Sequence, residues 1–200
     1  AHGGFDTCGV QSLVREKACL AGEERKGMKR KMARTALAAT LAATSVLGQQ
    51  VGQPVPDVRA PSTAGKELGP ADFKGQWLVI FFYPRALTPG CTKQSCSMRD
   101  GYEALAKEQV AILGVSLDSL EKQKQFKEKY QLPYELLSDA DKNVSKAFGV
   151  LGPMGAYAQR RTFIISPDGT IAAVIEKVDV SDHATQVLDA LRALRNSPQW

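Results

Sequence analysis

A run of seven apolar residues, WLVIFFY at 77–83, has the length and composition of a β-strand buried on both faces. A second strand is predicted at 111–118 (AILGVSLD). Between the two, CSMRDGYEALAKE (96–108) places Met98, Tyr102, Leu105 and Ala106 at helical spacing, so the unit reads strand, helix, strand. Helical spacing returns in SLEKQKQFKEKYQL (119–132), where Glu121 to Lys129 read as a solvated face. A short strand follows in YELLSD (134–139), then a short helix in NVSKAFGV (143–150) with Asn143 as its cap. TFIISPDGTIAAVIEK (162–177) reads as two strands joined by a Pro-Asp-Gly turn. DHATQVLDALRAL (182–194) gathers Ala184, Val187, Leu188, Leu191 and Leu194 on one side of a closing helix. Ahead of the first strand, residues 51–75 are rich in Pro and Gly and predict short strands and turns. Alternating elements that end in a hairpin predict an α/β sandwich on a mixed sheet, in one domain over about 50–197.

Composition adds little to this picture: 44% hydrophobic and 24% charged residues suit one ordinary domain with a full core. Charge adds more. The formal net charge of +5 invites a nucleic-acid reading, yet residues 1–48 hold eight basic and four acidic residues and carry +4 of it. The rest of the chain, at +1, lacks the basic face that phosphate binding needs, so no nucleic-acid partner is expected. From Met28 the leader runs basic (MKRKMAR), then apolar and small (TALAATLAATSVLG, 35–48), then polar (QQVGQP), which is the order of a secretory signal peptide. Its apolar block of 14 residues is shorter than the roughly 20 of a spanning helix, so no stable membrane span is expected. Residues 28–48 are read as an export signal to the periplasm or beyond, with an uncleaved tail on a cytoplasmic protein as the alternative. Residues 1–27 have no role ahead of such a signal and are read as a spurious or disordered upstream segment, so Cys8 and Cys19 are not expected in the working protein.

The other two cysteines lie together in YPRALTPGCTKQSC (83–96). Cys91 falls where the buried strand gives way to a helix, and the unpaired N–H groups and dipole of a helix start favour an anion there. A thiol whose pKa falls from about 8.5 to about 6 gains roughly 30-fold in thiolate at pH 7. Enzymes achieve far more, so groups that stabilise a transition state are also needed. Thr88, three residues upstream, and the Arg160–Arg161 pair supply candidates. Pro84 and Pro89 fix the loop backbone, and Gly90 leaves room for a small ligand. Taken alone, the C-x4-C spacing also reads as a structural disulfide or as two buried thiols. Zinc has no ligand set, because His183 is the domain's single histidine, and at a helix start it reads as a capping or surface residue.

Pro84, Thr88 and Cys91 match the P-x-x-x-T-x-x-C signature of the peroxiredoxins, and TPGCTKQSCSMRD resembles their bacterioferritin comigratory protein or peroxiredoxin Q branch. VGQPVPDVRAPSTAGKEL, DFKG, FFYP, LLSD, RRTFIISPDG and KVDVSDHATQVLDAL resemble that branch in order. The resemblance implies a thioredoxin-like fold, a mixed central sheet flanked by helices. It implies a thiol peroxidase, with no metal or other cofactor, acting on hydrogen peroxide and organic hydroperoxides. Cys91 is then the peroxidatic cysteine, Cys96 the resolving one, and Arg160 the arginine that pairs with thiolate and peroxide, while Arg161 stands at a variable position. Pro84 and Gly90 border the peroxide, and a thioredoxin-like donor restores the dithiol. RAL (85–87) and Ser166 depart from the branch, which has charged residues and an aspartate there.

Geometry adds a requirement to that implied pair. Residues five apart on an unbroken helix have Cα atoms about 8.6 Å apart, whereas a disulfide needs about 4.4–6.8 Å. The helix must open for Cys91 and Cys96 to bond, and an intramolecular bond leaves a monomer sufficient. Two rival readings use the same residues. A thioredoxin-type exchanger shares the fold but works through C-x-x-C, which the chain lacks. A redox sensor or holdase-like module uses the cysteines only to signal, with Arg85 to Leu87 as its contact patch. Arg99 and Asp100 are expected to form a local salt bridge.

Overall fold

The computed structural model describes residues 49–196. The expectations for residues 1–27 and for the export signal at 28–48 lie outside the described residues. The Pro- and Gly-rich lead-in forms a small antiparallel pair, β1 (Ala60–Pro61) and β2 (Glu67–Leu68), and a 3-10 turn at Pro70–Phe73. The apolar run becomes β3 (Trp77–Phe82), followed by α1 (Pro89–Asp100), α2 (Tyr102–Lys107) and β4 (Val110–Ser116). Then come α3 (Leu120–Lys129), β5 (Glu135–Ser138) and α4 (Asn143–Ala147). The hairpin β6 (Thr162–Ile165) and β7 (Ile171–Ile175) and the last helix, α5 (His183–Asn196), complete the fold.

The main sheet has the order β5-β4-β3-β6-β7. β3, β4 and β5 run parallel, and β6 and β7 join antiparallel, so the sheet is mixed as predicted. β3 is central, and everything from Leu78 through Tyr83 is at most 1% exposed. Alternation divides it between two cores. Val79, Phe81 and Tyr83 pack with Met98, Leu105, Phe126 and Val187 from the helices. Leu78, Ile80 and Phe82 pack with Phe148, Phe163 and Leu68 on the other face. Among the described residues no helix is long and apolar enough to cross a membrane.

Several local expectations are corrected. Gly101 breaks the predicted helix into α1 and α2. A Cβ there would lie 2.3 Å from that of Ala184, so the glycine lets α5 pack against the break. The break shifts the helical phase, which exposes Ala106 and turns Ala104 toward the core beside Leu105. α3 is not a uniformly solvated face: Gln123 and Phe126 are wholly buried. Asn143 does not cap α4; the Asp139 carboxylate does, accepting from the N–H groups of Val144 at 2.9 Å and Ser145 at 2.7 Å. Lys142, in the left-handed region at φ 65°, turns the chain so that Asp139 can reach. His183 is neither a cap nor a surface residue, because it is fully buried under α5. The Arg85 to Leu87 segment offers no exposed apolar patch, since Ala86 is buried and Leu87 half-buried.

Candidate active site

The site grows from the carboxyl ends of two parallel neighbours. Phe82 of β3 lies opposite Val115 of β4, so the loop leaving β3 runs beside Ser116 to Asp118. Asp118 holds that loop: its Oδ2 accepts from the Ala86 N–H at 2.6 Å and from the Ser116 hydroxyl at 2.8 Å. Lys122 Nζ sits 2.5 Å from the other carboxylate oxygen. Beneath the loop, the Tyr83 hydroxyl donates to Gln123 Oε1, and Gln123 Nε2 donates to Ser116 Oγ at 2.9 Å and to the Leu137 carbonyl at 2.8 Å. Burial holds the Tyr83 phenol well above its ordinary pKa, so it stays a neutral donor. Leu87 takes a left-handed conformation at φ 65° and turns the chain into the helix.

Thr88 is the N-cap residue of α1, and Pro89 occupies the first helical position, where a missing N–H costs nothing. The Thr88 hydroxyl caps no helix N–H; it donates back to the Arg85 carbonyl at 2.9 Å. Pro84 is half-buried in the loop behind it. Cys91 is the third residue of the helix and 2% exposed, within the turn whose N–H groups have no partner in the helix. Arg160 reaches it from the segment that enters β6, and its Nη2 donates to Cys91 Sγ at 3.4 Å. Arg161 points away and pairs with Glu176 at 3.6 Å, so the adjacent arginines have different surroundings. A Cβ on Gly90 would lie 3.6 Å from Arg160 Nη2, and its absence keeps that flank of the guanidinium open.

Cys96 lies farther along the same unbroken helix, half-buried, and both cysteines are free thiols. Side-chain contacts tie down its half of α1. Tyr134 donates its hydroxyl to the Ser95 carbonyl at 2.8 Å, and the Ala184 N–H donates to Ser97 Oγ at 3.2 Å. Arg99 pairs with Asp100 at 2.7 Å, as expected, and also donates to the Tyr130 carbonyl at 3.0 Å.

The sequence reading missed Gln94 and Asp118 and misplaced His183. Gln94 is fully buried and accepts from Arg160 Nη1 through Oε1. Its sequence signal is its position three residues after Cys91, on the same helical face. Asp118 carries a topological signal, since polar residues just past the carboxyl ends of adjacent parallel strands converge on sites. His183 Nε2 lies 2.8 Å from Thr162 Oγ1, and its ring meets Phe81 edge-on with centroids 5.6 Å apart. Burial, helped by the charge of Arg160, lowers its pKa to about 4. A cleft of about 260 Å³ opens elsewhere, among Pro54, Pro56, Phe73, Leu78, Ile165 and Gly169, and none of the cysteine site lines it.

Comparison with known proteins places this geometry. The AhpC/TSA family profile matches residues 51–174. The peroxiredoxin Bcp of Bacillus subtilis is 37% identical over 149 residues, covering 72% of this chain and 95% of its own. The crystal structure of peroxidoxin BcpB from Mycobacterium tuberculosis superposes with a TM-score of 0.68 at 35% identity, over 74% of this chain and 99% of that one. The bacterioferritin comigratory protein of Xanthomonas campestris, whose trapped intermediate and ligand complexes concern alkyl peroxide reduction, gives a TM-score of 0.66 at 32% identity, over 72% and 96%. With its thioredoxin-like sheet and a free cysteine at a helix start under an arginine, the chain belongs to the AhpC/TSA family as a thiol-dependent peroxidase of the peroxiredoxin Bcp and Q kind.

Proposed function

We propose that Cys91 is the sulfur that attacks hydrogen peroxide and organic hydroperoxides, and that Cys96 resolves the product. The observation that carries this reading is the 3.4 Å contact between Arg160 Nη2 and Cys91 Sγ in the first turn of α1. Guanidinium and unpaired N–H groups offer a thiolate, and then a developing oxyanion, charge-assisted donors. The thiolate attacks the terminal oxygen: the S–O bond forms as the O–O bond breaks, and sulfur loses two electrons to the peroxide. The products are a Cys91 sulfenic acid and hydroxide or alkoxide, which takes up a proton to leave as water or alcohol. The Thr88 proton is committed to the Arg85 carbonyl, so its oxygen is an acceptor for the peroxide O–H.

In the second step the Cys96 thiolate attacks the Cys91 sulfur; the S–S bond forms, the S–O bond breaks, and the departing hydroxide is protonated to water. Both cysteines ride one helix, with an ideal Cα separation of about 8.6 Å, so the first turn of α1 unwinds for the bond to close. A few helical hydrogen bonds, about 1 kcal/mol each, are lost in that opening. A thioredoxin-like dithiol then exchanges with the disulfide and leaves oxidised, and one subunit suffices for the cycle. The alkyl peroxide reduction reported for the Xanthomonas campestris relative supports organic substrates here.

The test is peroxide consumption coupled to NADPH through thioredoxin reductase and thioredoxin. The parent should turn over and Cys91→Ser should not. Cys96→Ser should form one sulfenic acid and turn over only with an added thiol. Equal peroxide consumption by the parent and Cys91→Ser ends the assignment of Cys91, and full thioredoxin-linked turnover in Cys96→Ser removes Cys96 from the cycle.

A further inference from the structure

The buried amide of Gln94 has one end in use and one end idle. Its Oε1 accepts from Arg160 Nη1, while its Nε2 is buried without a hydrogen-bond partner. A buried amide donor without a partner loses its hydration and gains nothing in return, so such groups are rare in native structures. Turning the amide over removes nothing, because it would set NH₂ against the guanidinium, donor facing donor. Arg160 therefore fixes which end of the amide is left free.

The guanidinium that fixes the amide also holds the cysteine that reacts. Gln94 is three residues after Cys91 on one face of α1, and the same guanidinium spans both side chains, Nη1 to the amide and Nη2 to the sulfur. A thiol is a poor acceptor. What turnover adds at this place is an oxygen atom on the Cys91 sulfur, a stronger acceptor than sulfur itself.

We propose that Gln94 Nε2 donates to the oxygen of the Cys91 sulfenic acid, so that Gln94 and Arg160 together hold this intermediate in the folded helix. This inference rests on the reading of Cys91 as the sulfur that peroxide oxidises. Two consequences follow from holding the oxygen. Opening of the first turn of α1 is delayed, which slows disulfide formation with Cys96. The retained sulfenic acid also has longer to meet a second peroxide, which transfers one more oxygen to sulfur, gives the sulfinic acid and is itself reduced to water or alcohol.

Gln94→Glu separates the two ends of the amide, since it keeps an oxygen acceptor for Arg160 and deletes the N–H donors. Gln94→Met deletes both. In a Cys96→Ser background, one equivalent of hydrogen peroxide forms the sulfenic acid, and a cyclic diketone then traps it by forming an S–C bond with loss of water. Gln94→Glu should be trapped about 3- to 10-fold faster than the Gln94 protein, the range expected for loss of one hydrogen bond. With Cys96 present, its disulfide should form faster by a similar factor and its sulfinic acid yield should fall. The melting temperature gained on going from reduced to sulfenic protein should also shrink in Gln94→Glu, a difference that a purely structural role of Gln94 leaves unchanged. Gln94→Met should in addition form the sulfenic acid more slowly, because Arg160 loses its acceptor. Equal trapping rates and an equal reduced-to-sulfenic melting shift in Gln94 and Gln94→Glu proteins overturn the inference while leaving the peroxidase reading intact. Failure of the Cys96→Ser parent to form any sulfenic acid overturns the peroxidase reading and this inference with it.

Discussion

Arg160 and Arg161 are neighbours with the same chemistry, and their surroundings set their worth. Arg160 is held between Cys91 and Gln94, whereas Arg161 pairs with the mostly exposed Glu176. A donor aimed at charge that develops on a peroxide oxygen is worth about 10²–10³-fold in rate, and a solvent-screened ion pair at most a few fold. Arg160→Met should therefore lower the second-order rate of peroxide reaction by about 10²–10³, and Arg161→Met should change it by less than about threefold. Stopped-flow measurement of the first oxidation step on both variants checks this; equal losses would show that the pair acts as a diffuse positive patch. The P-x-x-x-T-x-x-C signature and the position of Arg160 before Phe163 made these residues legible in the sequence. Asp118 and Gln94 were not, for physical reasons. Asp118 meets Ala86 only because β3 and β4 pair in parallel with Phe82 opposite Val115, a register that no local pattern states. Gln94 in KQS looks like an ordinary helical polar residue until the fold buries it under Arg160.

At the scale of elements, strands were easier to read than helix ends. The apolar run at Trp77 to Tyr83 leaves one interpretation, and the Pro-Asp-Gly turn fixes the β6–β7 hairpin. Gly101 is ambiguous in sequence, since an isolated glycine in a helical pattern is tolerated at some cost and can also mark a helix end. Its reason is tertiary: α5 crosses where a side chain would stand, 2.3 Å from the Ala184 Cβ. The φ of Gly101, −88°, is open to any residue, so the glycine is needed for space and not for conformation. Gly101→Ala should thus destabilise through overpacking alone, by about 1–3 kcal/mol, seen as a lower urea midpoint at unchanged slope. Because α1 and α5 also share the contact from the Ala184 N–H to Ser97 Oγ, the same change should loosen the half of α1 that carries Cys96. Pairing Gly101→Ala with Ala184→Gly, which vacates the space, should restore most of the midpoint; no recovery would place the cost in the α1–α2 junction itself.

For the molecule as a whole, the buried histidine sets an acid limit that the sequence did not forecast. His183 does stand at a helix start, where a capping or surface role was expected, but α5 packs with this first residue inward, against Phe81 and Thr162. Burial, then the nearby positive Arg160, disfavours the imidazolium and lowers the pKa from 6.5 to about 4. In the unfolded chain the same imidazole titrates near 6.5. Between those values the unfolded state binds a proton that the native state refuses, so acidification favours unfolding there. The stabilisation from a neutral His183 is thus fully present above pH 6.5 and is lost as pH falls toward 4, with about 2 kcal/mol gone by pH 5. Asp72, Asp168 and Asp179 have lowered values held by hydrogen bonds, and they lose their stabilisation only in more acid solution. Glu135, also lowered, gives way below its ordinary range, and Asp139, raised by burial, takes up its proton in the native state first and so opposes acid unfolding; the loss between pH 6.5 and 5 is therefore assigned to His183. Urea unfolding at pH 7.5 and pH 5 should show the parent losing about 2 kcal/mol between them, while His183→Leu, less stable at pH 7.5 through the lost Thr162 contact, should stay nearly flat across the same interval. A parent profile as flat as that of the variant would mean that His183 accepts its proton in the folded protein, with Thr162 and Phe81 moved aside to let water in.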